Sequence, residues 1–237
     1  MSNSDFIGKH FNKVFKKLSK SQNIENFEAK ISGKKDKVIV KNLSKVGIYN
    51  KRCLDIGPGS GRWLNYLKKG EAKKIYAIDI SEKVINLNKS LCTKIFKLDI
   101  EVQKMPLPNS SIDIILCIEV LEHIRDPESF ILELGRIMSP NSIAIFTMPN
   151  ILSFSSRIRM LFGFLPIAII SDPTHVKFYR RKSILKLFSK INAKIEFHSS
   201  SFSLNPFNQK SKFRVSTFSF FSSLDDSLIF TLKKNAN

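Results

Sequence analysis

Cys53-Leu54-Asp55-Ile56-Gly57-Pro58-Gly59-Ser60-Gly61 reads as a short buried strand that stops at a glycine-rich turn. Cys53, Leu54 and Ile56 make the strand apolar, and glycine then recurs at every second position. Glycine accepts positive φ and lets a ligand approach the backbone closely. A helix is expected from Arg62 to Lys69, so its unpaired N–H groups face whatever lies over the turn. A tight strand-to-helix turn and a ligand cradle both fit this pattern. The dinucleotide fingerprint G-x-G-x-x-G does not, because Arg62 stands three residues after Gly59. The pattern is D-x-G-x-G-x-G, with Asp55 at the strand end. A second strand, Lys74 to Ile78, ends at Asp79, about twenty residues on, an acid suited to holding ribose hydroxyls. A nucleoside ligand is expected, and a diphosphate is not required.

Downstream the pattern alternates. The spacing predicts a helix over Glu82–Ser90 with Ser81 as N-cap, and a short strand Ile95–Leu98 ending at Asp99. After the turn-rich Met105–Ser111 comes an apolar run, Ile112 to Ile118, broken only by Asp113, which reads as a central parallel strand. A helix from Pro127 to Met138 leads through Ser139-Pro140-Asn141 into a strand Ser142–Met148. Such β-α-β alternation predicts an α/β fold with a doubly wound, mostly parallel sheet, whose site lies beyond the carboxyl ends of the strands. Gly57, Asp79, Asp99 and Glu119 all fall at such ends.

Four segments follow. Residues 1–45 form a basic N-terminal helical extension, 46–150 a cofactor-binding core, 151–180 a substrate-side insertion or lid, and 181–237 a C-terminal helix and closing strands. In the first, Ile7, Phe11, Val14, Phe15 and Leu18 keep helical spacing among lysines, while Gly33-Lys34-Lys35-Asp36 reads as a break before a helix Lys37–Val46. That basic helix fits either a membrane surface or packing across the domain. In the last segment, Lys182–Lys190 reads as a helix, and Ile195–His198 and Leu228–Leu232 as strands around a Ser- and Phe-rich stretch, Ser199–Asp226.

The 237 residues suffice for one sizeable α/β domain with additions. Cys53, Cys92 and Cys117 are widely spaced, which points to reduced thiols and a cytoplasmic setting and away from a disulfide frame or zinc finger. No secretory leader is read at the N-terminus, and no uncharged apolar run reaches a bilayer-spanning length. The formal charge of +19 fits either an anionic partner, such as nucleic acid or a membrane face, or a lysine-rich composition without one. Nucleic acid is not the favoured partner, and oligomeric state is not legible.

Taken together these residues resemble the class I S-adenosylmethionine-dependent methyltransferases, a Rossmann-like family with a seven-stranded sheet and a reversed last strand. Leu54 to Gly61 resembles their first motif, and Met105-Pro106-Leu107-Pro108 before Ile112-Asp113-Ile114-Ile115 resembles the approach to their fourth strand. The resemblance implies S-adenosyl-L-methionine as cofactor, held by Asp55, Gly57, Gly59 and Gly61. It places Asp79 on the ribose and Asp99 on the adenine amine, with Ile80, Ile100 and Ile118 as apolar walls.

Glu119-Val120-Leu121-Glu122-His123 and Pro173-Thr174-His175-Val176-Lys177-Phe178 are similar to segments of the ubiquinone-biosynthesis O-methyltransferases. Some of those enzymes, and the small-RNA 2′-O-methyltransferases, hold Mg²⁺ with such a set. The resemblance thus implies Glu119, Glu122, His123 and His175 as metal ligands, or His175 or His123 as general base. Positions i, i+3 and i+4 would converge on one helix face. The expected activity is O-methylation of a small hydroxylated or lipid-like acceptor. An RNA 2′-O-methyltransferase and a non-catalytic binding protein of the same fold are the alternatives.

Overall fold

Strand periodicity sorts this chain into layers. The computed structural model describes residues 33–198, 200–203, 214–216 and 224–236. The expected helix over 1–20 and most of Ser199–Asp226 lie outside them. Along β1 (Arg52–Ile56) and β4 (Ile112–Ile118), Leu54, Ile56, Ile115 and Cys117 join one buried cluster with Phe130, Leu134 and Phe188. Cys53, Ile114 and Leu116 join the other, with Ile39, Leu43, Leu64 and Leu67. Both faces of these strands are therefore covered by helices, which is why they read as continuous apolar runs.

The seven-stranded sheet adds β2 (Lys74–Asp79), β3 (Lys94–Lys97), β5 (Met138–Pro149), β6 (Ala193–His198) and a last strand, β9 (Ser227–Lys234). Its order is β3-β2-β1-β4-β5-β9-β6. The first five strands pair in parallel, and β9 runs antiparallel to both β5 and β6. The chain leaves β1 toward β2 on one side and returns through β4 on the other, so the crevice opens at the carboxyl end of β1. β7 (Ser201–Ser203) and β8 (Arg214–Ser216) form a separate ribbon.

The helices are α1 (Lys34–Val46), α2 (Arg62–Lys69), α3 (Glu82–Asn88), α4 (Pro127–Ile137), α5 (Phe154–Leu161), α6 (Ile167–Ile170) and α7 (Arg181–Phe188). Two helices and one strand differ from the sequence expectation. α1 begins at Lys34, not after a break, because Asp36 in its first turn takes both guanidinium nitrogens of Arg62 at 2.8 and 2.9 Å. α3 stops at Asn88, and a 3₁₀ turn carries the chain to Leu91. β5 starts at Met138: Ser139-Pro140-Asn141 is absorbed into the strand, opposite a bulge between Ile112 and Ile114. Asn141 turns there at φ 61°, a value asparagine tolerates. Residues 151–180 contain two short helices, the first capped by Ser153, which accepts from the Ser156 amide at 3.2 Å. Among the described residues no helix is long and apolar enough to cross a membrane.

Asp113, the one charge within the β4 run, is explained by the strand beside it. Its carboxylate accepts from the Arg52 amide at 2.8 Å and from the Arg52 guanidinium at 3.0 and 2.8 Å, and Ser139 donates at 2.8 Å. Burial works against the charged form, but these donors outweigh it and hold the carboxyl down to about 2. A depressed carboxyl contributes stability above its unfolded value, and that stability is lost as pH falls through its folded value. We predict that Asp113→Asn lowers unfolding free energy at pH 7 by about 1 kcal/mol, after discounting for solvent screening. Denaturant titrations should show the deficit shrinking as pH falls from about 4 toward 2.

Candidate functional site

At the end of β1 the chain turns through three glycines, and all three have positive φ: 66° at Gly57, 54° at Gly59 and 78° at Gly61. Space as well as φ demands glycine at two of them. A Cβ on Gly57 would stand 2.8 Å from the Val120 side chain, and one on Gly61 would stand 2.0 Å from Oδ1 of Asn88. Asn88, fully buried at the end of α3, donates its amide to the Gly59 carbonyl at 2.9 Å and to the Val84 carbonyl at 2.8 Å. The turn is therefore pinned from beneath by a side chain that the sequence reading did not single out. Its signal was a polar residue four after Val84, on the sheet-facing side of the helix.

Above the turn lies a cavity of about 240 Å³, lined by Gly57, Gly59, Asp79, Ile80, Asp99, Ile100, Glu119 and His123 among others. Asp55, Gly61 and Ile118 do not line it. Asp55 is buried under the turn, with Oδ2 unpartnered and its carboxyl pushed well up by burial and then by Asp79. Gly61 caps α2 and packs on Asn88. Ile118 packs in the cluster on the other sheet face, and Val120 forms the apolar wall in its stead. Asp79 has two roles: Oδ1 accepts from the Ser81 amide at 2.7 Å, and the carboxylate also faces the cavity. Burial raises it to about 6, against the pull of backbone donors at Ser81 and Ile80. Asp99 likewise accepts from the Glu101 amide at 3.0 Å while lining the cavity.

Beyond β4 the structure corrects the expected helix. Glu119 sits at φ 56°, and only Leu121–His123 forms a 3₁₀ turn, so Glu119, Glu122 and His123 share no α-helical face. Glu119 accepts from Thr147 at 2.7 Å and pairs with Lys35 of α1 at 3.1 Å. Burial opposes its charge, but Lys35 and Thr147 keep its carboxyl below the ordinary value. The ligand atoms that converge, within 4.8 Å of one another, belong to Glu122, His123 and His175. Glu119 stands outside that group.

The three are held from behind. Nδ1 of His123 lies 3.1 Å from the Thr174 carbonyl and 2.9 Å from the Thr174 hydroxyl, which itself donates to Asp172 at 2.5 Å. Nδ1 of His175 lies 2.6 Å from the Ala168 carbonyl. A carbonyl only accepts, so both Nδ1 atoms carry a proton, and a neutral ring in either place presents its lone pair at Nε2. Burial lowers the His123 pKa, which favours this neutral form. Glu122 is buried, neither carboxyl oxygen has a hydrogen-bond partner among the described residues, and Nε2 of His175 is 4.0 Å away. Burial, and then the Glu119 charge, raise its carboxyl well above the usual range. Backbone holds the two segments together: the Val176 and Lys177 amides donate to the Glu122 carbonyl at 2.9 and 3.0 Å.

A methyltransferase-domain family profile matches residues 27–196. A ubiquinone biosynthesis O-methyltransferase of Colwellia psychrerythraea is 27% identical over 138 residues, 56% of this chain and 55% of that protein. A probable S-adenosylmethionine-dependent methyltransferase of Mycobacterium tuberculosis is 25% identical over 84 residues, 35% of this chain and 31% of that protein. The chain thus spans between about a third and about a half of the length of these relatives. A crystal structure of a SAM-dependent methyltransferase from Archaeoglobus fulgidus superposes with a TM-score of 0.61 at 19% identity, covering 84% of this chain and 94% of that one. At that identity the likeness speaks to the fold alone.

The pinned turn yields a stability prediction. Gly61→Ala meets both an unfavourable φ and the Asn88 amide, and should cost about 2–4 kcal/mol. Asn88→Ala, which strands the Gly59 carbonyl, should cost about 1–3 kcal/mol. Chemical denaturation monitored at Trp63 measures both, and an unchanged midpoint for Gly61→Ala would show the turn to be differently built.

Proposed function

This chain belongs to the methyltransferase-domain family, and from that premise we propose that it transfers a methyl group from S-adenosylmethionine to an oxygen of a small hydroxylated, lipid-like acceptor. The observation that carries the reading is the placement of His123 and Glu119 in the wall of the same cavity as Gly57, Asp79 and Asp99. In this reading the turn receives the methionyl end, Asp79 accepts from the ribose hydroxyls and Asp99 from the adenine amine. Ionised carboxylates suit these contacts because each partner is a donor. Ile80, Ile100 and Val120 supply the apolar walls.

The acceptor oxygen attacks the methyl carbon, the carbon–sulfur bond breaks, and the sulfonium leaves as a neutral thioether. The acceptor proton must go to a base. Nε2 of His123 fits this task, because Thr174 fixes the tautomer and burial keeps the ring neutral. Aligning oxygen, carbon and sulfur in a water-poor cleft supplies much of the rate.

Glu122, His123 and His175 also fit a divalent cation. The orphaned carboxyl oxygens of Glu122 and the two imidazoles anchored at Nδ1 are the arrangement that metal ligands adopt. One carboxylate with two imidazoles suits manganese, ferrous iron or zinc better than the Mg²⁺ that the sequence resemblance implies. Bound there, such a metal would acidify a coordinated hydroxyl.

Incubation with methyl-labelled S-adenosylmethionine and a host extract, with and without EDTA, tests the assignment. Label is expected in an organic-extractable product. His123→Ala should lower kcat by about 10²–10⁴ while leaving S-adenosylhomocysteine affinity unchanged. Label appearing only in RNA or protein would refute the acceptor class. Calorimetry gives a second check through Asp79: affinity for S-adenosylhomocysteine should fall as pH drops below about 6, where that carboxylate takes up its proton. The limiting slope is about tenfold per pH unit.

A further inference from the structure

The fold gathers lysines that the sequence spreads. Along α1, Lys34, Lys37, Lys41 and Lys45 recur at spacings of three and four residues and so share one face. Lys37, Lys41 and Lys45 are exposed, while Ile39, Asn42 and Leu43 on the opposite side are buried. The acid of this helix, Asp36, is turned inward to Arg62. None of the four lysines has an acidic partner among the described residues.

The sheet continues the face. Residues opposite one another on antiparallel strands point to the same side. Ile143 of β5 is opposite Lys233 of β9, and Lys233 is opposite Lys194 of β6. Ile143 packs with Ile39 and Leu43 of α1, so both of these exposed lysines stand on the α1 side. Glu196 and His198 of β6 share that side. Burial lowers the His198 pKa, Glu196 raises it, and Lys45 and Lys41 lower it further, which puts both lysines within electrostatic reach of this edge strand. Glu196 is itself paired with Lys194 at 3.4 Å.

A surface of this charge takes a polyanion. A second copy of the chain, with its formal charge of +19, is repelled. The chain's own residues 1–32 match poorly as well, since Lys9, Lys13, Lys16, Lys17, Lys20 and Lys30 outweigh Asp5, Glu25 and Glu28. A bilayer contact needs apolar side chains to enter the headgroup boundary, and across α1, β9 and β6 the exposed large hydrophobic among the described residues is Val46 alone. A strand of phosphates needs only spaced cations, and Lys37, Lys41 and Lys45 follow one another at about 6 Å along the helix axis. Tyr49, 73% exposed four residues beyond Lys45, offers a ring on which an unpaired base can stack. We propose that the face formed by Lys37, Lys41, Lys45, Lys194 and Lys233 binds single-stranded RNA through its phosphates, without reading its sequence. The face rests on charge and placement and stands whichever acceptor takes the methyl group.

Fluorescence anisotropy of labelled oligouridylate with the full chain tests this. The wild type should bind, and log affinity should fall against log salt with a slope of about −3. Lys37→Gln, Lys41→Gln and Lys45→Gln together should reduce that slope by about 2 and weaken binding on the order of a hundredfold at low salt. Lys73→Gln, Lys89→Gln and Lys104→Gln remove the same charge outside this face and should leave affinity within about threefold of the wild type. Tyr49→Ala should weaken binding about tenfold. All of these side chains are exposed, so the unfolding midpoint should stay at the wild-type value and report an intact fold. No binding by the wild type would overturn the proposal. So would equal weakening in the two triple variants, because net charge and not this face would then hold the strand. Tighter binding of an RNA duplex than of oligouridylate would overturn it too, as would co-sedimentation with phosphatidylglycerol vesicles that the first triple variant loses while its RNA binding persists.

Discussion

The hydrogen bond from the Asn88 amide to the Gly59 carbonyl ties the end of one β-α unit to the turn of another. Without it, three left-handed glycines spaced two apart would be a loose connection, since glycine loses more entropy on ordering than any other residue. Asn88 sits at the end of α3, so its position depends on β2 and on the Ser81 cap that starts that helix. The turn, which continues β1, is also tied to β2, through the Gly57 amide bonded to the Ile78 carbonyl at 2.9 Å. Strand, turn and helix thus hold one another, and the cavity exists because that closed set leaves the strand ends uncovered.

Around this cavity a strongly cationic chain gathers two buried acids, Asp55 and Glu122, and two half-buried ones, Asp79 and Glu119. Solvation favours exposing them, so each must be compensated or must be waiting for something. Glu119 is compensated by Lys35 and Thr147, and Asp79 in part by backbone donors. Asp55 and Glu122 are not: three of their four carboxyl oxygens are buried without a hydrogen-bond partner among the described residues. Burial, and then a neighbouring acid in each case, pushes both carboxyls upward, as desolvation does to a carboxyl without a donor.

How much of this the sequence carried depends on the range of the interactions. The glycine turn, the parallel alternation and the strand-end acids are local patterns, and they were readable because period and punctuation are local properties. Asn88 left only a faint trace, a polar residue in an apolar position, because its partner Gly59 is 29 residues away. Lys35 left none: its pairing with Glu119 joins α1 to the end of β4, and no spacing rule connects them. The expected helix at Glu119–His123 failed for a local reason. Glu119 adopts a left-handed conformation to reach Thr147 and Lys35, and an α-helix cannot start through it. The imidazole and carboxylate of the 3₁₀ turn still meet His175, because the Glu122 carbonyl receives the amides that follow His175.

That last contact explains why the apolar insertion and the cavity form one device. Val176 and Lys177 bind backbone to backbone at Glu122, Thr174 orients His123, and Ala168 orients His175. Both imidazoles are thus oriented by residues of the insertion and not by the sheet. The sheet and its glycine turn, by contrast, form one wall of the cavity. The helix α6 contributes to this arrangement through the Ala168 carbonyl, which faces Nδ1 of His175.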